Sequence, residues 1–199
     1  ELAIFFMKPV RTFVCLPIPL FARDRLAAIQ QCLQEIGAEV GWVRPQNIHL
    51  TLKFLGSVVP ERLQEVVEAV RRAAVPASPI LLEFAELDCF PNKRKPRIIC
   101  AKLKDLSEGL EGLQLRVEKE LIAIGFPSES RSFSPHLTLG RIRSGQKVQK
   151  LVSELKAKHL GKLRFDAIEM VVMGSQLHPS GVLYTPISRI PWNFPNSGL

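Results

Sequence analysis

The tetrapeptide His-Leu-Thr-Leu occurs twice in this chain, at residues 49–52 and again at 136–139, and no other feature narrows the possible folds as much. Only four histidines occur in 199 residues, and two of them sit in these copies. On a strand, side chains alternate between faces. Leu50 and Leu52 then share one face, and His49, Thr51 and Lys53 share the other. In the second copy Leu137 and Leu139 go inward, while His136, Thr138 and Gly140 line the opposite face. A helix would scatter residues two apart onto different sides. Each copy therefore predicts a strand with a packed apolar face and an open face, on which one imidazole and one hydroxyl lie about 6.5–7 Å apart.

The segments around the two copies repeat too. Residues 11–18 are β-branched and aromatic and end at prolines, which predicts a strand. Leu26, Ile29, Leu33 and Ile36 follow at helical spacing, with Gly37 placed to cap them. After the first motif strand, Pro60 opens a helix with Leu63, Val66, Val67 and Val70 on one face, because a proline's missing N–H costs nothing in a first turn. Residues 79–90 read as a strand. The second half follows the same plan: a strand at 96–103, then a helical stripe of Leu106, Leu110, Leu113, Val117, Leu121 and Ile124 ending at Gly125. The second motif strand and a short helix carrying Val148, Leu151, Val152 and Leu155 come next. Strands at 161–175 and 181–190, joined by a turn containing Pro and Gly, complete it. Each half is thus strand, helix, motif strand, helix, strand. This order predicts two pseudo-symmetric α+β lobes, each a sheet with helices on one face. A doubly wound parallel fold lacks its Gly-rich phosphate loop here. The expected bounds are an extension at 1–10, one bilobal domain at 11–191 and a tail at 192–199. Met7 is a candidate start, and the opening residues lack the cleavage site of a signal peptide.

Charge and cysteine content limit the function classes. The formal net charge is +8, which favours polyanionic partners, and Lys53, Arg131, Arg141 and Arg143 cluster near the motifs. Residues 91–97, Pro-Asn-Lys-Arg-Lys-Pro-Arg, add a dense basic turn. No apolar run approaches the ~18 residues of a membrane span. Cys15, Cys32, Cys89 and Cys100 form no CxxC pair, so they read as free buried thiols in a reducing cytoplasm. His159 and His178 fall at a helix end and in a turn, where exposed structural roles are expected.

Two imidazoles opposed across a groove suit in-line displacement at phosphorus. One takes a proton from the attacking group and the other gives one to the leaving oxygen. The two threonine hydroxyls can donate to the equatorial oxygens as charge builds on them. Neither motif has an HxxxH, an HxH or a carboxylate cluster beside it, so no metal and no cofactor is expected.

The chain resembles the two-histidine phosphoesterases, and among them the bacterial and archaeal RNA 2′,3′-cyclic phosphodiesterases once called 2′-5′ RNA ligases. The resemblance runs from about residue 11 to 191. It is carried by RTFVCLPIP, WVRPQNIHLTLKFLG, the CFP segment, IGFPSESRSFSPHLTLGRIR and SQLHPSGVLYTPISRIP. It implies two lobes of antiparallel sheet flanked by helices, with the motifs facing across a central cleft. His49 and His136 would be catalytic, with His49 as acid to the 3′ oxygen and His136 as base for water. Thr51, Thr138 and Arg141 would hold the phosphate. The implied substrate is RNA, or a nucleotide, with a 2′,3′-cyclic phosphate, opened to a 2′-phosphate by a cytoplasmic monomer. Ligation of RNA ends through a 2′-5′ bond, or a non-catalytic RNA-binding module, are the alternatives. Relatives carry a tryptophan where Cys100 stands here, so that position cannot stack on a base. Phe90, Phe133 and Tyr184 remain as candidate base contacts, with core packing the competing role for each.

Overall fold

The computed structural model describes residues 8–74, 79–143, 145, 147–157, 161–178 and 181–192. Met7, His159 and the segment from Asn193 onward lie outside them. The strands are β1 (Val10–Pro17), β2 (Val40–Trp42), β3 (His49–Val58), β4 (Ile80–Phe90), β5 (Ile98–Asp105), β6 (His136–Ile142), β7 (Arg164–Ala167), β8 (Glu169–His178) and β9 (Gly181–Pro191). The helices are α1 (Leu20–Gln34), α2 (Leu63–Ala73), α3 (Leu110–Ala123) and α4 (Val148–Ala157). All strand pairings are antiparallel, in the order β7-β4-β5-β6-β3-β1-β8-β9, with β2 added beside β6. The architecture is the expected α+β one, two pseudo-symmetric antiparallel lobes with flanking helices around a central cleft.

The strand order is symmetric about the contact between β3 and β6, where Leu50 faces Leu137. One lobe is β3-β1-β8-β9 and the other is β6-β5-β4-β7. Neither lobe is a sequence half. β4 follows the first motif strand but pairs with β5, and β8 comes from the second half but pairs with β1. The helices cross as well. Gln30 on α1 donates to the carbonyl of Leu139 on β6 at 2.8 Å. Glu118 on α3 reaches β3 through Lys53. Exchange of elements between halves turns a weak internal repeat into one fold.

One continuous core joins the lobes. Leu50, Leu137 and Leu139 share it with Leu26 of α1, Val66 of α2, Leu113 of α3 and Leu151 of α4. The helices therefore cover a single face, and the motif histidines are left on the other. The expected strand over 161–175 breaks at the exposed Ile168, and its two parts enter different lobes. One linking residue spans only about 3.5 Å per position. The sheet must therefore curl until β7 approaches β8, and Ala167 and Met170 on either side of the link enter the same core.

Three further expectations are corrected. The third helix starts at Leu110 rather than near residue 106, because the Asp105 carboxylate accepts the Ser107 and Leu110 amides and folds the preceding residues into a turn. Cys32 is exposed, while Cys15, Cys89 and Cys100 are buried free thiols. Lys53 and Gly140 do not share a face with the motif threonines. A bulge follows the threonine in each copy: β1 pairs Cys15 with Thr51 and then Val14 with Lys53, and β5 pairs Cys100 with Thr138 and then Ile99 with Gly140. The extra residue in each, Leu52 or Leu139, reverses the alternation beyond it.

Lys53 consequently enters the core side. Its ammonium bonds both Glu118 oxygens at 2.8 Å and the Pro127 carbonyl at 2.7 Å, with only 3% of the side chain exposed. At Gly140, a Cβ would lie 2.5 Å from a Val40 methyl and 3.1 Å from the Trp42 ring, so glycine is what lets β2 close against β6. Glu118→Ala should cost about 3–5 kcal/mol in urea unfolding, because it strands a buried charge. Lys53→Met with Glu118→Leu should recover most of that loss. Equal destabilisation of the single and double variants would show that the pair is not what holds α3 to β3.

Candidate active site

The antiparallel register at the seam decides the geometry. With Leu50 opposite Leu137, one step either way sets His49 against Thr138 and Thr51 against His136. Directly opposed residues on one face have Cβ atoms about 4.5–5.5 Å apart, and diagonal ones about 7–8 Å. The four side chains thus mark the corners of a parallelogram, with the imidazoles on one diagonal and the hydroxyls on the other. The sequence predicts the two sets facing each other. The structure brings them side by side on adjoining strands, close enough to touch one phosphate.

Each histidine is the first residue of its strand and is held by the same local bond. Nδ1–H of His49 donates to the Asn47 carbonyl at 2.7 Å, and Nδ1–H of His136 donates to the Ser134 carbonyl at 2.7 Å. Both bonds run two residues back. They fix the tautomer and leave Nε2 as the nitrogen free to accept or give a proton. Among the described residues neither Thr51 nor Thr138 spends its hydroxyl on a protein partner.

Because of the two bulges, the next site-facing residue comes three positions after each threonine. It is Phe54 in the first copy and Arg141 in the second, both exposed and both lining a cleft of about 540 Å³. His49, Thr51 and Thr138 line the same cleft, as do Arg44, Asn47, Arg143 and Tyr184. His136 is not among its lining residues. It lies diagonally beyond, with its ring centroid 4.9 Å from that of Phe90. Phe133 is partly buried against the core, while Tyr184 is at the site. His178 is exposed.

The two halves of the cluster differ chemically. His49 stacks on Phe13 at 4.7 Å and meets the edge of Tyr184 at 5.4 Å. Burial there pushes its imidazolium down to about 4, against a weaker opposing pull from the Asn47 carbonyl. Burial also raises the Tyr184 phenol, opposed by the positive charge of Arg141. Beside His136, Phe90 is joined by an ionic cluster. Lys102, paired with His136 across β5 and β6, bonds Asp88 at 2.6 Å, and Lys93 lies 3.6 Å from the same carboxylate. The Asp88 carboxyl is held below its usual range by Lys102 and by a backbone amide, despite burial acting the other way. Cys15 and Cys100, opposite the two threonines, are pushed up to about 12 by burial and stay thiols.

The arrangement offers two imidazole nitrogens on one diagonal, two free hydroxyl donors on the other and one guanidinium farther along β6. No group of three metal-ligating side chains forms among the described residues. The model of the LigT-like phosphoesterases matches residues 16–100 and 103–184. The chain belongs to that family. A Methanothermobacter thermautotrophicus protein named RNA 2′,3′-cyclic phosphodiesterase is 32% identical over 88% of this chain and 95% of its own. An Archaeoglobus fulgidus protein of the same name is 30% identical over 88% and 96%. Among solved structures, Thermus thermophilus TT0787 superposes with a TM-score of 0.73 at 26% identity, covering 92% of this chain and 97% of that one. Escherichia coli LigT shares the fold, at a TM-score of 0.74 and 20% identity over 92% and 98%.

The alternation of the sequence puts Lys53 on the face of His49 and Thr51, and the bulge turns it inward. Sequence reasoning passed over Phe13, Phe54, Asn47 and Arg44. Phe54 and Arg141 stand at the same offset from their histidines, which is the one signal that could have paired them. Phe13 arrives from a distant strand and leaves no local trace.

The charge state of His49 yields a measurement. Its folded pKa lies below the ordinary 6.5, so the unfolded chain takes up the proton first as pH falls. The site is stable with neutral His49 at pH 7, and stability is lost between about 6.5 and 4. In imidazole NMR the His49 midpoint should lie near 4 without ligand and rise by more than one unit when inorganic phosphate is added. A ligand-free midpoint near 6.5 would show that the aromatic wall does not desolvate the ring.

Proposed function

We propose that this chain hydrolyses 2′,3′-cyclic phosphate ends of RNA to 2′-phosphate ends, without a metal ion. Water attacks phosphorus and gives its proton to His136, the bond to the 3′ oxygen breaks, and His49 protonates that oxygen. Thr51, Thr138 and Arg141 hold the non-bridging oxygens as charge builds on them. The observation that carries this reading is the seam register, which sets two histidines diagonally about two free threonine hydroxyls. The shared name of the relatives supports the substrate, and the net charge of +8 suits a polyanion.

An acid with a free-state pKa near 4 must gain its proton as substrate arrives. One negative charge about 4 Å away contributes about 4 kcal/mol at an effective dielectric near 20. That is about three pKa units, enough to offset the burial. Substrate and proton are then taken up together, and His49 is charged only when there is a leaving group to protonate.

Turnover of an oligoribonucleotide 2′,3′-cyclic phosphate should persist in EDTA and without ATP, giving the 2′-phosphate by phosphorus NMR. His49→Ala and His136→Ala should each lower the rate about 10²–10⁴-fold. Losses at Thr51 or Thr138 should be smaller, since the proton transfers remain. A substrate whose leaving group needs no proton should rescue His49→Ala alone. Rescue of His136→Ala instead would exchange the two roles, and near-wild-type rates in both would remove the mechanism.

A further inference from the structure

The cleft does not end at the histidine cluster. It runs along β6 from Thr138 to Arg143, walled by β2, and at that end of the sheet stands the turn between β4 and β5. The Asn92 side chain accepts the amides of Arg94 and Lys95, each at 3.0 Å, which pins the turn. The Arg97 carbonyl accepts the Ile142 amide at 2.9 Å, which ties the turn to the last residues of β6. Lys93, Arg94, Lys95 and Arg97 are all exposed. Lys93 turns back to Asp88. Among the described residues no carboxylate pairs with Arg94, Lys95, Arg97, Arg141 or Arg143.

Unpaired cations held this close repel one another, and a polyanion relieves the repulsion. The phosphate of the reacting nucleotide cannot. At about 3.4 Å per residue, Arg141 lies ~10 Å and Arg143 ~17 Å along the strand from Thr138, and Arg97 stands level with Ile142, between the two. A phosphate gripped by the threonines reaches Arg141 only by that side chain's length, and Arg97 and Arg143 stand one position or more beyond it along the sheet. The phosphates placed to reach them are those of preceding nucleotides.

We propose that the turn at 91–97, with Arg143, binds the phosphodiester backbone on the 5′ side of the cyclic end, so that the enzyme selects RNA ends over mononucleotides. This rests on the cyclic-phosphate reading of the site. The contacts are to phosphates, so they confer length preference without sequence preference.

The test compares kcat/KM for a 2′,3′-cyclic mononucleotide and a hexaribonucleotide with the same cyclic end, in wild type and in R94A/K95A/R97A. Wild type should favour the hexamer at least tenfold, mostly in KM. The variant should lose most of that preference with mononucleotide turnover unchanged. Its salt slope on the hexamer should be shallower by about two, at ~0.7 per single-strand phosphate contact. Equal wild-type values for the two substrates, or an equal loss on both in the variant, would overturn the proposal. Anisotropy with a labelled hexamer ending in a 3′-phosphate reads the surface without chemistry. If neither cyclic substrate turns over, the catalytic reading fails; weaker hexamer binding by the variant then still supports the backbone track, and unchanged binding overturns it.

Discussion

The pairing of Leu50 with Leu137 is the contact on which the molecule depends. It is the one register position that joins β3 to β6, and both side chains are fully buried. A one-residue slip there would send the leucines to the open face and the histidines into the core, because the side-chain period is two. The core behind the seam prevents that. It takes residues from all four helices, and two buried polar links, Gln30 to Leu139 and Lys53 to Glu118, anchor the helices to the motif strands. The fold is in effect a device for holding one antiparallel pair in register.

The bulges convert that pair into a site. Each gives its strand one extra core residue just past the threonine and returns the next side chain to the open face. Phe54 and Arg141 are thereby placed in matching positions, an apolar group in one lobe and a cation in the other. The near-symmetric backbone thus carries unlike chemistry. Phe13 and Tyr184 dry out His49, whereas Lys102, Asp88 and Lys93 surround the approach to His136 with charge. Two identical imidazoles can then do different work, since a proton acceptor and a proton donor need different environments.

Local pattern made much of this readable. Period-two alternation in HLTL identified both motif strands and their polar faces, and helical spacing found all four helices, with Gly37 as a C-terminal stop at positive φ. Errors arose where a particular contact, local or distant, overrode the pattern. Asp105 delayed α3 by capturing the amides ahead of it. Ile168 split what read as one strand, because its two parts pair with β4 and β1 at distant places in the sheet. Lys53 followed the alternation on paper, and a bulge imposed by β1 turned it inward.

The sequence alone determined the element types, the two imidazole and hydroxyl pairs and the class of reaction they suit, because these depend on residues a few positions apart. Only the tertiary structure decided that the motif strands lie side by side, that strands and helices cross between halves, and that His49 is dry while His136 borders an ionic cluster. Those facts depend on which distant segments pack against each motif. Periodicity within a segment carries no information about its neighbours.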